Sequence, residues 1–205
     1  MGSSLFFRSL SSPTLTPPSG SVYLLLSERS GVANTTRVTT TTASGTAIDV
    51  TENAGGNTIY WFSEPITTAV TVSGTMTVQL RGQESATTVN ACLAVIVERT
   101  NNSGSVISTV LNATVPDPAA ELGTGAGNPS DTYTPTSTSF AVGDRIKVTQ
   151  QVRNVGTMGA GTVTIGFDAG LATIAPRVEF AEDIVTDQPV EVGSYEIFGS
   201  NGYRR

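Results

Sequence analysis

The sequence has no histidine, one cysteine, one tryptophan and one lysine, and only 14% of its residues are charged. Without histidine there is no Ser-His-Asp or Cys-His catalysis, no His-ligated zinc and no haem held by a histidine. A lone cysteine, Cys92, excludes an intrachain disulfide framework and a thiolate metal site. Its place in the apolar run Ala91–Val97 reads as packing. The glycine patterns Gly-x-x-x-x-Gly-Lys, Gly-x-Gly-x-x-Gly and Gly-x-Ser-x-Gly are all missing. Beside Lys147 stand 10 arginines, scattered rather than striped, under a net charge of −6. A phosphate-tracking groove has no raw material, and nucleic acid is not expected as a partner. The apolar runs fall short of a bilayer span, so no membrane partner is expected either. The opening Met1-Gly-Ser-Ser-Leu-Phe-Phe-Arg lacks a basic stretch followed by a long apolar core. It places Phe6 where a myristoylation signal carries Ser or Thr, and the expectation is cytoplasmic synthesis.

What the chain has is threonine, 32 residues of it, together with 21 glycines. Threonine is β-branched and suits pleated, half-wet surfaces, while glycine supplies turns. Short segments with a two-residue period follow one another. In Thr75–Arg81, Met76, Val78 and Leu80 alternate with polar neighbours. After Gly143-Asp144, Ile146, Val148, Gln150 and Val152 are expected inward, with Arg145, Lys147, Thr149, Gln151 and Arg153 outward. Thr162–Phe167 alternates again. Ala91–Val97 is apolar at both parities and predicts a central strand covered on both faces. Pro135 demotes Thr132–Phe140 to an edge. Asp117–Ser130 reads as a long loop, with one helical turn near Ala119–Leu122. No repeat of solenoid length is present. The predicted fold is an all-β, antiparallel, jelly-roll-like β-sandwich with extended N- and C-terminal arms.

Three zones result: an N-terminal arm over 1–21, a sandwich over 22–180 and an acidic tail over 181–205. In the first, Pro13, Pro17 and Pro18 forbid helix around isolated apolar residues. Leu5, Phe6, Phe7 and Leu10 are expected to dock on another subunit. In the tail, Tyr195, Ile197, Phe198 and Tyr203 sit among acids and suggest anchoring along a partner by strand addition or pocket filling.

The remaining catalytic possibility is a glycosidase-like carboxylate pair drawn from Glu64, Glu84, Glu98, Asp144 and Glu179. Each also has a plain structural reading at a strand end or turn, and the expectation is no enzyme, no cofactor and no metal. Calcium is the other possibility, with oxygen ligands offered by loops such as Asn112–Asp117 or Asn128–Asp131, although the EF-hand pattern is absent and the acids are scattered. In the aromatic run Tyr60-Trp61-Phe62, Tyr60 and Phe62 share one face of a strand and Trp61 takes the other. Trp61 reads as the core anchor. The competing reading makes Tyr60, Trp61 and Tyr133 a platform for glycans.

The run Ile59-Tyr-Trp-Phe-Ser-Glu-Pro, then Val72-Ser-Gly-Thr-Met-Thr-Val-Gln-Leu-Arg and Glu84-Ser, resembles the opening of jelly-roll modules in virion proteins of tailed bacteriophages. Phe140-Ala-Val-Gly-Asp-Arg-Ile-Lys-Val and Gly159-Ala-Gly-Thr-Val-Thr-Ile resemble their closing strands. The resemblance spans roughly Thr46 to Phe167. It implies a virion location and a structural protein, such as a capsid or neck decoration. Its partners would be other copies of itself and other virion proteins, whether major capsid, portal, neck or tail. The alternatives are a carbohydrate-binding receptor module and an accessory domain of a hydrolase.

Overall fold

A computed structural model describes residues 2–11, 15, 21–26, 37–41, 47–51, 57–157, 159–167 and 175–187. Among them are fifteen strands and no helix. In chain order they are β1 (Ser3–Ser11), β2 (Ser21–Leu26), β3 (Arg37–Thr41), β4 (Ile48–Asp49) and β5 (Ile59–Ser63). There follow β6 (Val70–Val72), β7 (Met76–Gln79), β8 (Gly82–Glu84), β9 (Ala91–Thr100) and β10 (Val106–Val115). The last five are β11 (Ser130–Tyr133), β12 (Thr138–Phe140), β13 (Arg145–Asn154), β14 (Thr162–Gly166) and β15 (Arg177–Phe180).

One large sheet runs β10-β9-β13-β5-β2-β1-β15-β7-β11, with β4 paired to β13. Smaller sheets are β3-β14-β8 and β12-β6. The large sheet curls until its two ends meet. There, Tyr133 on β11 donates its hydroxyl to the Thr114 carbonyl on β10. The Thr136 N–H donates to the Val110 carbonyl at 2.8 Å. Asp131 accepts the Asp117 N–H at 2.8 Å. The all-β, jelly-roll-like sandwich is thus closed nearly into a barrel. Its pairs are antiparallel except β2 with β5, which run parallel.

The periodicity explains most of the interior. Met76, Val78, Ile146, Val148, Val152, Val163 and Ile165 are all fully buried in one core. β9 lies between β10 and β13, and Ala91 to Val95 are buried at both parities, Cys92 included. Pro135 falls between β11, an end strand of the large sheet, and β12. The helical turn expected near Ala119–Leu122 does not form. Leu122 instead donates its N–H to Ala91 and buries its side chain in the core.

Three expectations are corrected here. First, the N-terminal segment is no free arm: β1 is inserted between β2 and β15, pairing with both. Leu5 and Phe7 point into the core and are fully buried, while Phe6, on the opposite face, is half-buried. Burying a Leu or Phe side chain is worth roughly 1.5–3 kcal/mol, and the sheet has a place for both. Second, the body does not stop at residue 180. Ala181 donates to Thr75, Asp187 donates to Pro65, and Glu182 accepts the N–H groups of Ser73 and Gly74. Third, Arg145 and Thr149 are buried rather than outward. The side chain of Leu10, and all of Tyr195, Ile197, Phe198 and Tyr203, lie outside the described residues.

Candidate functional site

One end of the sandwich gathers both ionic pairing and exposed apolar surface. It is built from the exit of β5 through Thr68, the Asn101–Ser105 turn, the Ala141–Asp144 turn and Val185. Gly143 takes φ +92° at the tight turn before β13, a left-handed conformation that favours glycine. That turn is tied to the β5 exit by two backbone bonds of 2.8 Å, Ile66 N–H to Asp144 O and Gly143 N–H to Ile66 O. Thr67 in turn donates to the Val185 carbonyl at 2.8 Å.

Beneath this surface lies Arg145, 1% exposed. Its guanidinium donates to the Ser63 carbonyl at 3.1 Å, to Glu64 at 3.2 Å and to the Asn102 carbonyl at 3.1 Å. One buried cation on β13 therefore ties the β5 exit to the Asn101–Ser105 turn. A buried charge is tolerated only when paired and hydrogen-bonded, which this arrangement supplies. Beside it, Asp144 accepts Arg99 at 2.6 Å and the Ala141 N–H at 2.7 Å. Further along, Lys147 pairs with Glu98 at 2.7 Å and lies 4.8 Å from the centre of the Tyr60 ring.

Around this ionic base stand four exposed large aliphatic side chains: Val106 and Ile107 at 49%, Val142 at 66% and Val185 at 43%. Val106 pairs across β9 with Thr100, which pairs with Arg145, while Val142 and Val185 flank the Ile66–Thr67 crossing. The arrangement sets exposed aliphatic side chains over a buried, hydrogen-bonded ionic base.

The candidate acids divide differently from the expected pair. Glu64, Glu98, Asp144 and Glu179 each have a cationic partner, Glu179 meeting Arg177 at 2.6 Å. Glu84 is the exception, buried on β8 with one oxygen accepting the Ala91 N–H at 2.5 Å. Burial pushes its carboxyl up; the Ala91 N–H pulls it down, and the neighbouring charge of Glu121 adds to the rise. Nearby, a shallow depression lined by Arg81, Gln83, Ala126 and Thr164 has room for about one water molecule. Among the described residues, no three Asp, Glu, Cys or His side chains gather as a metal would require. Asp131 instead accepts the Asp117 and Thr132 N–H groups, which hold its carboxyl below the usual range.

The glycan platform is not assembled. Trp61 is fully buried, edge-on to Phe7 at 5.2 Å and to Phe167 at 5.7 Å. Tyr60 is on the opposite face with Phe62, covered in part by Leu15. Tyr133 is spent on closing the sheet, its phenol pushed up by burial and by Asp131 and Asp117. Sequence reasoning missed Val106, Ile107 and Val142 and turned Arg145 outward. A turn valine carries no periodicity, and nothing adjacent to Arg145 in the chain reveals Glu64 as its partner.

No family model matches the chain, and no curated protein does. Solved structures do. A CocE/NonD family hydrolase from Staphylococcus aureus is 9% identical, matching 91% of this chain and 36% of its own, at a TM-score of 0.55. An aminopeptidase from a marine sediment Thaumarchaeota archaeon is 11% identical, over 88% of this chain and 36% of its own, at 0.56. The VP2 subviral particle of infectious bursal disease virus, 12% identical over 72% of this chain and 34% of its own, reaches only 0.28. This chain thus spans little more than a third of the enzymes it resembles, and at such identities the likeness is one of fold. It overturns the expectation of no enzyme, because the structures sharing this architecture over about nine-tenths of the chain are a hydrolase and an aminopeptidase.

Proposed function

We propose that the chain is a structural β-module of a tailed-phage virion, a capsid or neck decoration that meets neighbouring copies of itself through the rim of Val106, Ile107, Val142 and Val185. The observation that carries this reading is the exposure of those four side chains on segments that adjoin the Arg145 and Asp144 ion pairs. Apolar surface gathered on a rigid base is how contacts repeated by symmetry gain avidity. This moves the assembly contact away from Leu5 and Phe7, which are spent in the core. Sedimentation of the full chain tests it. An oligomer that Val106→Asp with Ile107→Asp converts to folded monomer is expected; a monomeric parent chain refutes the rim as a self-contact. Mass spectrometry of purified particles then gives location, hundreds of copies for a shell and about a dozen for a neck.

A second reading, an accessory module of a hydrolase, draws support from the enzymes that share the fold and from the chain spanning 36% of their length. A monomeric chain that raises the turnover of chromogenic esters or aminoacyl anilides by a separate hydrolase catalytic domain would favour it over the first.

A further inference from the structure

The inward face of β13 carries Ile146, Val148, Gln150 and Val152, and the one polar member, Gln150, is 0% exposed. Val148 is the register partner of Trp61 on β5, so Gln150 lies on the diagonal from the indole, within reach of a long side chain. Trp61 is likewise 0% exposed, boxed by Phe7, Tyr23 and Phe167. Three polar atoms there have no hydrogen-bond partner among the described residues: Trp61 Nε1, Gln150 Oε1 and Gln150 Nε2. Buried polar groups are satisfied in the great majority of native proteins, and a buried water characteristically serves them where two to four such groups converge.

We infer that the interior of the sandwich contains a hydration site in which a water molecule bridges the Trp61 indole and the Gln150 carboxamide. The donor and acceptor pattern is complementary. The indole N–H can only donate, the Gln150 oxygen can only accept, and a water between them accepts from one and donates to the other. The Nε2 group offers two donors to a second water in the same site. The ligand is small and neutral. Both side chains are sealed from solvent, and the residues flanking them on this face, Ile59, Ile146, Val148 and Val152, are aliphatic.

Trp61 is the chain's one tryptophan, so its signals report on this site alone. In the full chain labelled with ¹⁵N at tryptophan, a magnetisation-transfer peak between the indole proton and a long-lived water is expected. Gln150→Leu should lose that peak and shift the tryptophan emission to shorter wavelength, as the indole loses its polar neighbour. A folded parent chain with no such peak overturns the site. So does a high-resolution crystal structure in which the indole N–H donates directly to Gln150 Oε1. Should Gln150→Leu fail to fold, the parent-chain measurement decides by itself.

Discussion

At β1 the large sheet is joined on both sides by backbone ladders, to β2 and to β15, whereas β10 and β11 meet through isolated hydrogen bonds. The first junction carries Leu5 and Phe7 into the core. The second is lined by exposed Thr109 and Asn112 and half-buried Tyr133. Alternating large apolar residues fix register because a one-residue slip would expose them all. β10 likewise buries Val110, Leu111 and Val115, yet its seam with β11 has no ladder and closes through two side-chain bonds and one backbone bond. Insertion and latch close the same wall with very different strength.

That contrast can be broken most forcefully at β1. Phe7→Ala is expected to cost about 3–5 kcal/mol and Leu5→Ala about 2–5 kcal/mol, read from urea unfolding. Removal of residues 2–11 should abolish cooperative thermal unfolding. A truncated chain that melts like the parent would show that the strand is dispensable. The buried cation comes next. Arg145→Met strands Glu64 and should cost roughly 3–5 kcal/mol, much of it restored by adding Glu64→Leu. A double variant as unstable as the single would show that Arg145 matters through its bonds to Ser63 and Asn102 instead.

The latch should give way more gently. Tyr133→Phe removes one hydrogen bond and is expected to cost about 0.5–1.5 kcal/mol. Amide exchange should quicken in β10 while β9, laddered on both sides, keeps its protection; equal change in both would make the seam as cooperative as the rest. The smallest effect is a change of slope. The Glu84 carboxyl is raised in the folded chain, chiefly by burial. Its stabilising share is therefore complete below the ordinary carboxylate value of about 4.3 and is lost as pH rises through the folded value. Glu84→Gln should flatten that decline, with the two proteins most alike at acid pH. Parallel stability curves would mean that Glu84 titrates normally.

Much of the sandwich was legible because its core strands are half-buried. Met76, Val78, Ile146 and Val148 announce their faces, as does the opposition of Trp61 to Tyr60 and Phe62. β9 was legible as a two-sided strand from its unbroken apolar run. β1 was not. Its prolines lie after the strand rather than in it, and the partner that buries Leu5 is Val178, far along the chain. Arg145 was unreadable for a related reason, since alternation assigns a face but does not reveal that Glu64 waits there with a countercharge. The rim valines stand in turns and at a strand start, where no period operates. The fold was thus accessible from local pattern, and the end that carries Arg145 and the exposed aliphatic side chains was not.

The pairing of β1 with β15 also bears on the order in which the protein can be made. Ser4 and its hydrogen-bond partner Glu179 are 175 positions apart, so β1 leaves the ribosome long before the strand that completes its pairing. Until β15 emerges, Leu5 and Phe7 have only part of their eventual shelter. Long-range strand pairing of this kind slows folding and prolongs exposure to aggregation. A nascent chain stalled before residue 177 should therefore hold β1 open to proteases that the finished protein resists.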